Sequence, residues 1–402
     1  MSADSATLEA GSLAARWGAI RNRLTSGDLG SLPVIAGLAL IWIVFQSQNQ
    51  NFLTARNLTN LVLQIVVVGL LAVGIVMVLL LGEIDLSVGA LSGLGAAVMA
   101  VLNVKHGVPA PIAIAGGVAT GTAIGLFQGF WFTRLGIPSF VVTLAGLLAW
   151  QGALLQVLGL TGTVNVLDPS IDSLAGTYLP VAAGWVLAAI VVVVYAGSRF
   201  LQIRRRRAAG LPVGSLYQVA GSIVLAAGAV LITAWVMNSW LGVPVALLIL
   251  LGFVVFFDVI TRRTRFGRSI FAVGGNAEAA RRVGFSVNGV RIAVFALSGT
   301  LAACGGIMGA SRLLAVNQSS GGSDLLLDAI AAAVIGGTSL FGGRGTVWSA
   351  ITGALVIGSI SNGMDLLALA SSTKLLVTGA VLLAAVTLDA VARRGRAATG
   401  RG

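Results

Sequence analysis

Residues 61–81 read LVLQIVVVGLLAVGIVMVLLL, and this apolar stretch decides the fold class. It contains no charged residue, and its one strongly polar side chain is Gln64. A helix needs about 20 mainly apolar residues to cross the hydrocarbon core of a bilayer. The stretch meets that length, which predicts a transmembrane helix over residues 57–81.

The same character recurs along most of the chain. Of the 402 residues, 57% are hydrophobic and only 9% are charged, whereas a soluble domain carries about 25% charged residues. Further candidate spans are 33–46, 86–103, 109–133, 138–159, 178–198, 216–238, 243–261, 290–311, 346–367 and 373–392. A shorter apolar piece, 328–341, is expected to be a tilted or a broken re-entrant helix. We therefore expect an all-α polytopic membrane protein with about 10–12 transmembrane helices.

The basic residues predict the orientation. If the first residues are cytoplasmic and the chain crosses twelve times, the 25 basic residues fall on the cytoplasmic side except for Arg56, Lys105, Arg312 and Lys374. Short cytoplasmic loops carry such an excess in membrane proteins. We expect both chain ends in the cytoplasm, and topology alone accounts for the net charge of +12 without nucleic acid.

The expected domain organisation follows from these spans. Residues 1–30 mix acidic and basic side chains and contain no apolar run of signal-peptide length, which favours a cytoplasmic leader over a cleaved signal. Residues 31–392 form the transmembrane domain, with a cytoplasmic loop over 261–290. Residues 393–402 form a cytoplasmic tail.

Glycine spacing predicts one close helix contact. Gly117, Gly121, Gly125 and Gly129 recur every four residues and therefore line one face of the span 109–133. Small residues at this spacing allow two membrane helices to approach closely.

The chain lacks the groups that an enzyme or an energy-converting site needs. Neither of its two lysines, Lys105 and Lys374, follows a G-x-x-x-x-G run, so the sequence has no nucleotide-binding P-loop. The single histidine, His106, and the single cysteine, Cys304, have no neighbours that would complete a metal site. We expect no catalysis, no cofactor and no metal. The acidic residues lie at the ends of predicted spans, where capping roles are expected, so nothing forms a proton relay across the membrane.

Uncharged polar residues inside the spans are the candidates for a solute path. They are Gln64, Gln128, Thr143, Gln151 and Asn362. Amides and hydroxyls suit an uncharged polyol such as a sugar. Side chains of this kind also hold neighbouring helices together, and that alternative remains open for each of them.

The loop 261–290 has the features of a short capped helix. Asn276 is placed to cap a helix over 277–283, Glu278 lies near its positive end, and Arg281 and Arg282 near its negative end. Gly284 follows where a left-handed C-terminal residue is needed. With Ala279 and Ala280 expected at the surface, this helix is predicted to be a rigid contact for a partner protein.

At this loop the sequence resembles a known family. GGNAEAARRVGFSV at 274–287 resembles the coupling loop of the ribose/xylose class of ABC importer permeases. Four more blocks are similar to motifs of that family and occur in its order: EIDLSVG at 83–89, PSFVVTLAG at 138–146, DAIAAAVIGGTSL at 328–340 and NGM at 362–364. The extra segment 178–238 is typical of xylose-type members. Phe285 departs from the isoleucine usual in the family.

The resemblance implies a function. Such permeases form a dimer in the inner membrane, bind two cytoplasmic ATP-binding subunits and receive sugar from an extracytoplasmic binding protein. Asn276, Glu278, Ala279, Ala280, Arg281 and Gly284 would then belong to the helix that seats on the ATP-binding subunit. The implied substrate is D-xylose. Ribose, a branched-chain amino acid and a proton-coupled sugar carrier remain the alternatives.

Overall fold

A computed structural model describes residues 32–160, 162–211 and 216–398 of the chain. The predicted leader, residues 1–30, lies outside the described residues, as do the last four residues of the predicted tail. The described part is almost entirely helical, as expected, with two strands of three residues each.

The first half of the chain contains six helices and one strand. These are α1 (Leu32–Gln48), α2 (Ala55–Leu80), α3 (Val88–Ala100, prolonged by a π-helical turn over Val101–Lys105), α4 (Ala110–Leu135), α5 (Ser139–Leu158), β1 (Thr163–Asn165) and α6 (Pro169–Gly176). The second half contains α7 (Val181–Ala208), α8 (Leu216–Asn238), α9 (Val245–Arg263), α10 (Arg265–Gly275), α11 (Ala277–Arg282), α12 (Val287–Leu313), β2 (Ala315–Asn317), α13 (Ser323–Ile335), α14 (Trp348–Leu366) and α15 (Ser371–Ala398).

Eight helices in the described ranges are long and apolar enough to cross a membrane: α2, α3 with its π-helical turn, α4, α5, α7, α8, α9 and α12. Two shorter apolar helices, Val34–Gln48 and Ser371–Ala384, lie within α1 and α15. The prediction of an all-α polytopic membrane protein is confirmed. About 10–12 transmembrane helices were expected, and the eight long helices with the two shorter ones make ten in the described ranges.

Helix α2 lies at the centre of the bundle. Over its most apolar window, 78% of its residues are buried, and Leu70, Val73 and Met77 are essentially inaccessible. A helix that is apolar all round has no face suited to water, so it is covered on every side. Here α12, α13 and α14 pack around it.

The glycine stripe of α4 packs against α12, as predicted. A β-carbon added at Gly121 would lie 2.3 Å from the carbonyl oxygen of Gly299, and one at Gly125 would lie 2.2 Å from that of Phe295. Only glycine permits such a separation of the two backbones. The contact between α4 and α12 is the most extensive in the fold.

The two ends of the bundle are distinct. The first, which we call the hairpin end, holds the start of α2 and the antiparallel pair of β1 with β2. There, Arg312 at the end of α12 donates to Asn60 of α2. The second, which we call the loop end, holds Leu80 at the end of α2 together with α10 and α11.

The helix predicted at residues 328–341 has different bounds in the structure, where it is α13. It spans Ser323–Ile335, so it starts five residues earlier than predicted and ends six residues earlier. It stops because the chain turns at Gly337, whose φ of +104° is open to glycine and strained for other residues. At 13 residues it is about 20 Å long, too short to cross a bilayer alone. The segment 314–322 from the hairpin end precedes it, and together the two bring the chain to the loop end.

Helices α7 and α8 lie at the outside of the bundle. Only 11% of the most apolar window of α7 is buried, and only 6% of that of α8. Such apolar, uncovered helices are suited to a lipid environment. Together they make up most of residues 178–238, the extra segment noted in the sequence.

Candidate functional site: a polar cavity and a capped loop helix

A cavity of about 490 Å³ enters the bundle from the hairpin end. It is lined by residues of α2, α3, α12, α13 and α14 and of the segment 315–322. Its outer rim includes the exposed residues Leu313, Asn317 and Asp365, whereas Ser92 at its inner part is fully buried. Its volume is within the range of about 300–1,000 Å³ that small-molecule sites occupy.

Charged and hydroxyl-bearing side chains line this cavity. Asp324 and Asp328 come from α13, Arg312 from α12 and Asp365 from α14. Asp365 also forms an ion pair with Lys374 at the rim. Uncharged polar lining residues are Gln64, Ser92, Asn317, Ser319, Ser320 and Ser361. Carboxylates, amides and hydroxyls on facing walls can hydrogen-bond the several hydroxyl groups of one small polyol.

Along one wall of the cavity, backbone packs directly on backbone. A β-carbon added at Gly93 of α3 would lie 2.0 Å from the carbonyl oxygen of Ser320. One added at Gly89 would lie 2.9 Å from that of Gly321. Helix α3 and the segment 318–322 therefore pack too closely at this wall for any side chain larger than that of glycine at either position.

A short capped helix lies at the loop end. The side-chain oxygen of Asn276 accepts a hydrogen bond of 2.9 Å from the amide of Ala279, which satisfies one free donor at the start of α11. Glu278 pairs with Arg281 at 3.0 Å and with Arg282 at 3.4 Å. Gly284 has a φ of +92°, so the predicted cap geometry is confirmed at both ends.

The loop end is joined to the core by a backbone contact. The amide of Gly343, in the segment that follows α13, donates to the carbonyl oxygen of Leu80 at 2.9 Å. Gly274, near the end of α10, contacts the carbonyl group of Leu80 as well, because a β-carbon added at Gly274 would lie 1.8 Å from that oxygen. Helix α10 therefore rests on the end of α2 and on the segment that continues from α13, and α11 packs on α10.

A second polar cluster is buried where α2 leads into α3. Asp85 accepts hydrogen bonds from the Ser87 hydroxyl at 2.7 Å and from the Ser298 hydroxyl at 3.0 Å. The Ser87 hydroxyl is also 3.0 Å from the side-chain oxygen of Gln128. These contacts connect the start of α3 with α4 and α12, and Asp85 is 2% exposed.

Comparison with known proteins decides the family. The profile described as "Branched-chain amino acid transport system / permease component" matches residues 57–386, which is most of the chain. The chain belongs to this permease family.

Individual relatives align over nearly the whole permease. The xylose transport system permease protein of Escherichia coli (strain K12) is 38% identical over 92% of this chain and 94% of its own length. That of Haemophilus influenzae (strain Rd) is 36% identical over 91% of this chain and 98% of its own. The ribose import permease protein of Bacillus subtilis (strain 168) is 32% identical over 90% and 94%. No solved structure gives a significant match.

The five residues predicted for the path lie in four places in the permease. Gln64 lines the cavity. Gln128 belongs to the buried cluster around Asp85, and Thr143 lies beside it, 3.4 Å from the carbonyl oxygen of Ile84. Asn362 accepts from the amide of Asn57 at 2.7 Å, so it ties α14 to α2. Gln151 is exposed on the outer side of α5.

One prediction for the loop helix is wrong. Ala279 is exposed as expected, but Ala280 is 4% exposed and packs in the main hydrophobic core. The short helix packs against α10 and α12, and the side that carries Ala280 faces the bundle. A partner would contact Ala279 and the charged side chains rather than Ala280.

Asp328 lies farther inside a helix than predicted, whereas Asp85 lies between two helices, at span ends as predicted. Asp85 is buried in the link between α2 and α3, and Asp328 lies in the second turn of α13 because this helix begins at Ser323. Both fall inside sequence blocks that resemble the family motifs, which was the available signal. Hydropathy placed Asp328 at a helix end because the apolar piece begins at residue 328, whereas α13 begins at Ser323.

Proposed function

We propose that this chain is the membrane-spanning permease subunit of an ATP-driven (ABC) importer for a monosaccharide, D-xylose. The family is a transport family, and the xylose permeases compared above are more similar to the chain than the ribose permease is. The α7–α8 pair, which the sequence marks as typical of xylose-type members, supports the same substrate.

The observation that carries the proposal is the connection between the capped loop helix and the polar cavity. Asp328 lines the cavity on α13, and the segment after α13 binds Leu80 through Gly343. Gly274 of α10 contacts the same point. A partner that pushes α11 thus acts on the element that carries one wall of the cavity.

This arrangement supports alternating access. In the structure the cavity reaches the hairpin end, and on its wall α3 packs tightly on the segment 318–322 through Gly93 and Ser320. A partner that binds one arrangement of α10–α11 more tightly than another shifts the balance between the two states. Nucleotide chemistry in a separate ATP-binding subunit would supply the difference in binding energy.

The same proposal fixes the orientation and the partners. The loop end faces the cytoplasm, where two ATP-binding subunits contact Asn276, Glu278, Ala279, Arg281 and Gly284. The hairpin end faces the outside of the inner membrane, where a sugar-binding protein delivers the substrate to the cavity. The leader and the tail are then cytoplasmic, and a second copy of the chain completes the path.

Uptake of labelled xylose tests the proposal in cells that lack their own pentose transporters. The chain is expressed alone and together with the ATP-binding subunit and the sugar-binding protein encoded beside it. We expect uptake only with the partners, and this uptake should survive a protonophore while ATP is maintained.

Three other outcomes would each contradict one part of this proposal. Uptake by the chain alone that a protonophore abolishes would mean a proton-coupled carrier. An assembled complex that transports ribose or leucine, but not xylose, would keep the importer and refute the sugar. An assembled complex that transports none of the three would refute the proposed substrate class.

A further inference from the structure

An arginine-rich cavity lies at the loop end, on the lipid side of the bundle. It measures about 790 Å³ and lies between the ends of α7 and α9. Its walls carry five arginines: Arg199, Arg205, Arg206, Arg262 and Arg263. It is separate from the polar cavity described above and shares no lining residue with it.

The positive charge of this cavity is largely uncompensated. Arg262 pairs with Asp258 of the same helix at 2.7 Å. Within the described residues, Arg199, Arg205, Arg206 and Arg263 have no carboxylate within ion-pair distance. The excess of positive charge favours an anionic occupant.

One of these arginines is already held in place. Arg199 donates to the Gln202 side chain at 3.3 Å and to the Ser222 hydroxyl of α8 at 3.4 Å, and it lies 5.7 Å from the ring centre of Tyr195. Its Nε is buried and has no hydrogen-bond acceptor in the described part of the chain. A fixed guanidinium loses little side-chain entropy when it binds an anion.

The depth of the cavity matches the head-group region of a bilayer. Arg199 is the nineteenth residue of α7, about 27 Å along a helix that rises 1.5 Å per residue. Arg205 and Arg206 lie about 10 Å farther. The hydrocarbon core is about 30 Å thick, so this group of arginines lies at and beyond its boundary, with exposed Leu201 and Leu211 at the rim.

We propose that this cavity binds the phosphate head group of an anionic phospholipid. Guanidinium groups hold phosphate oxygens through paired, charge-assisted hydrogen bonds. The apolar rim and the uncovered faces of α7 and α8 receive the acyl chains. Topology accounts for arginines near the spans, but it does not require two separate helices to direct them into one cavity.

Helix α7 offers a matched pair of variants for the test. Arg205→Gln with Arg206→Gln removes two charges from the cavity wall. Arg204→Gln with Arg207→Gln removes two charges from the same turn, at positions that do not line the cavity. The purified full chain in detergent is titrated with phosphatidylglycerol or phosphatidylcholine, and bound lipid is counted by native mass spectrometry.

We expect the wild-type chain to retain phosphatidylglycerol in preference to phosphatidylcholine. The cavity variant should bind phosphatidylglycerol about tenfold more weakly, and the control variant should stay within about twofold of wild type. Both variants should elute as monodisperse protein with unchanged helical circular dichroism. Arg199→Gln provides a second, single-residue test and should also weaken binding.

Three results would overturn the proposal. An equal loss in both double variants would mean that general positive charge attracts the lipid. Displacement of the lipid by millimolar glycerol phosphate or inorganic phosphate at equal affinity would mean that the cavity binds a free anion. Unchanged lipid binding in the cavity variant, combined with lost association with the ATP-binding subunit, would mean that the arginines bind a protein.

Discussion

The contact of Gly274 with the end of α2 allows a sharp test of how the loop helix acts on the cavity. We predict that Gly274→Ala impairs transport while the adjacent change Gly275→Ala does not. Both glycines lie in the last turn of α10, so both substitutions raise helix propensity equally. Gly274 lies against the core: its added β-carbon would be 1.8 Å from the carbonyl oxygen of Leu80. At Gly275 an added β-carbon would have no atom of the described residues within 4 Å.

The size of the effect follows from this distance. Nonbonded heavy atoms prefer a separation of about 3.5 Å, so α10 and Leu80 must move apart by roughly 1.7 Å. Overpacking of this kind costs about 1–3 kcal/mol, and loss of the nearby bond from Gly343 to Leu80 costs about 1 kcal/mol more. If the added strain destabilises only the conformation in which α10 contacts α2, a cost of about 2 kcal/mol lowers the population of that conformation about 30-fold.

The assay is xylose uptake by proteoliposomes that contain the complete importer, with ATP hydrolysis measured in parallel. We expect Gly274→Ala to lower uptake about tenfold or more while the ATP-binding subunits still copurify. Equal uptake by the Gly274 and Gly275 variants would refute the coupling through Leu80. Loss of the assembled complex in the Gly274 variant alone would also refute it, because the contact would then serve assembly.

Four further predictions test other parts of the structure. Asp328→Asn should raise the KM for xylose uptake about tenfold by replacing a carboxyl oxygen in the cavity with an amide NH2 group, whereas Asp168→Asn, outside the cavity, should leave it unchanged. Gly121→Val should destabilise the α4–α12 contact by about 2–4 kcal/mol in thermal unfolding. Gly152→Ala, whose added β-carbon has no atom of the described part of the chain within 4 Å, is the tolerated control. Asn276→Ala should remove about 1 kcal/mol from α11 and speed amide exchange there, and Asn276→Ser should restore protection. A hydrogen bond from the Asn103 side chain holds the pKa of Asp168 below its usual value, so the ionised carboxylate stabilises the fold and this contribution should be lost only below about pH 4. Acid unfolding of Asp168→Asn compared with wild type measures it.

The lining of the polar cavity shows the limit of reasoning from the sequence. Of the five predicted path residues only Gln64 lines it, while Gln151 faces outward and Asn362 bonds to Asn57. In a chain this apolar, a polar side chain inside a span is conspicuous whichever way it points. The sequence reveals that it is inside, but the packing of neighbouring helices decides the direction.

Features that depend on residues close together in the chain could be predicted from the sequence. The cap at Asn276 and the left-handed Gly284 depend on residues within one or two turns, so their spacing alone predicts α11. The glycine spacing of α4 likewise predicts a contact face, although not that α12 is its partner. The exposure of Ala280 was misjudged because the core that covers it comes from remote parts of the chain.

The sequence by itself determined the membrane fold, its helices and the capped loop, because hydropathy and capping act over tens of residues or fewer. Only the tertiary structure decided that five helices surround one cavity and that α13 joins it to the loop end. It also decided that arginines from α7 and α9 share one cavity. These features arise from residues far apart in the chain, whose proximity depends on how backbones pack at Gly93, Gly121 and Gly274.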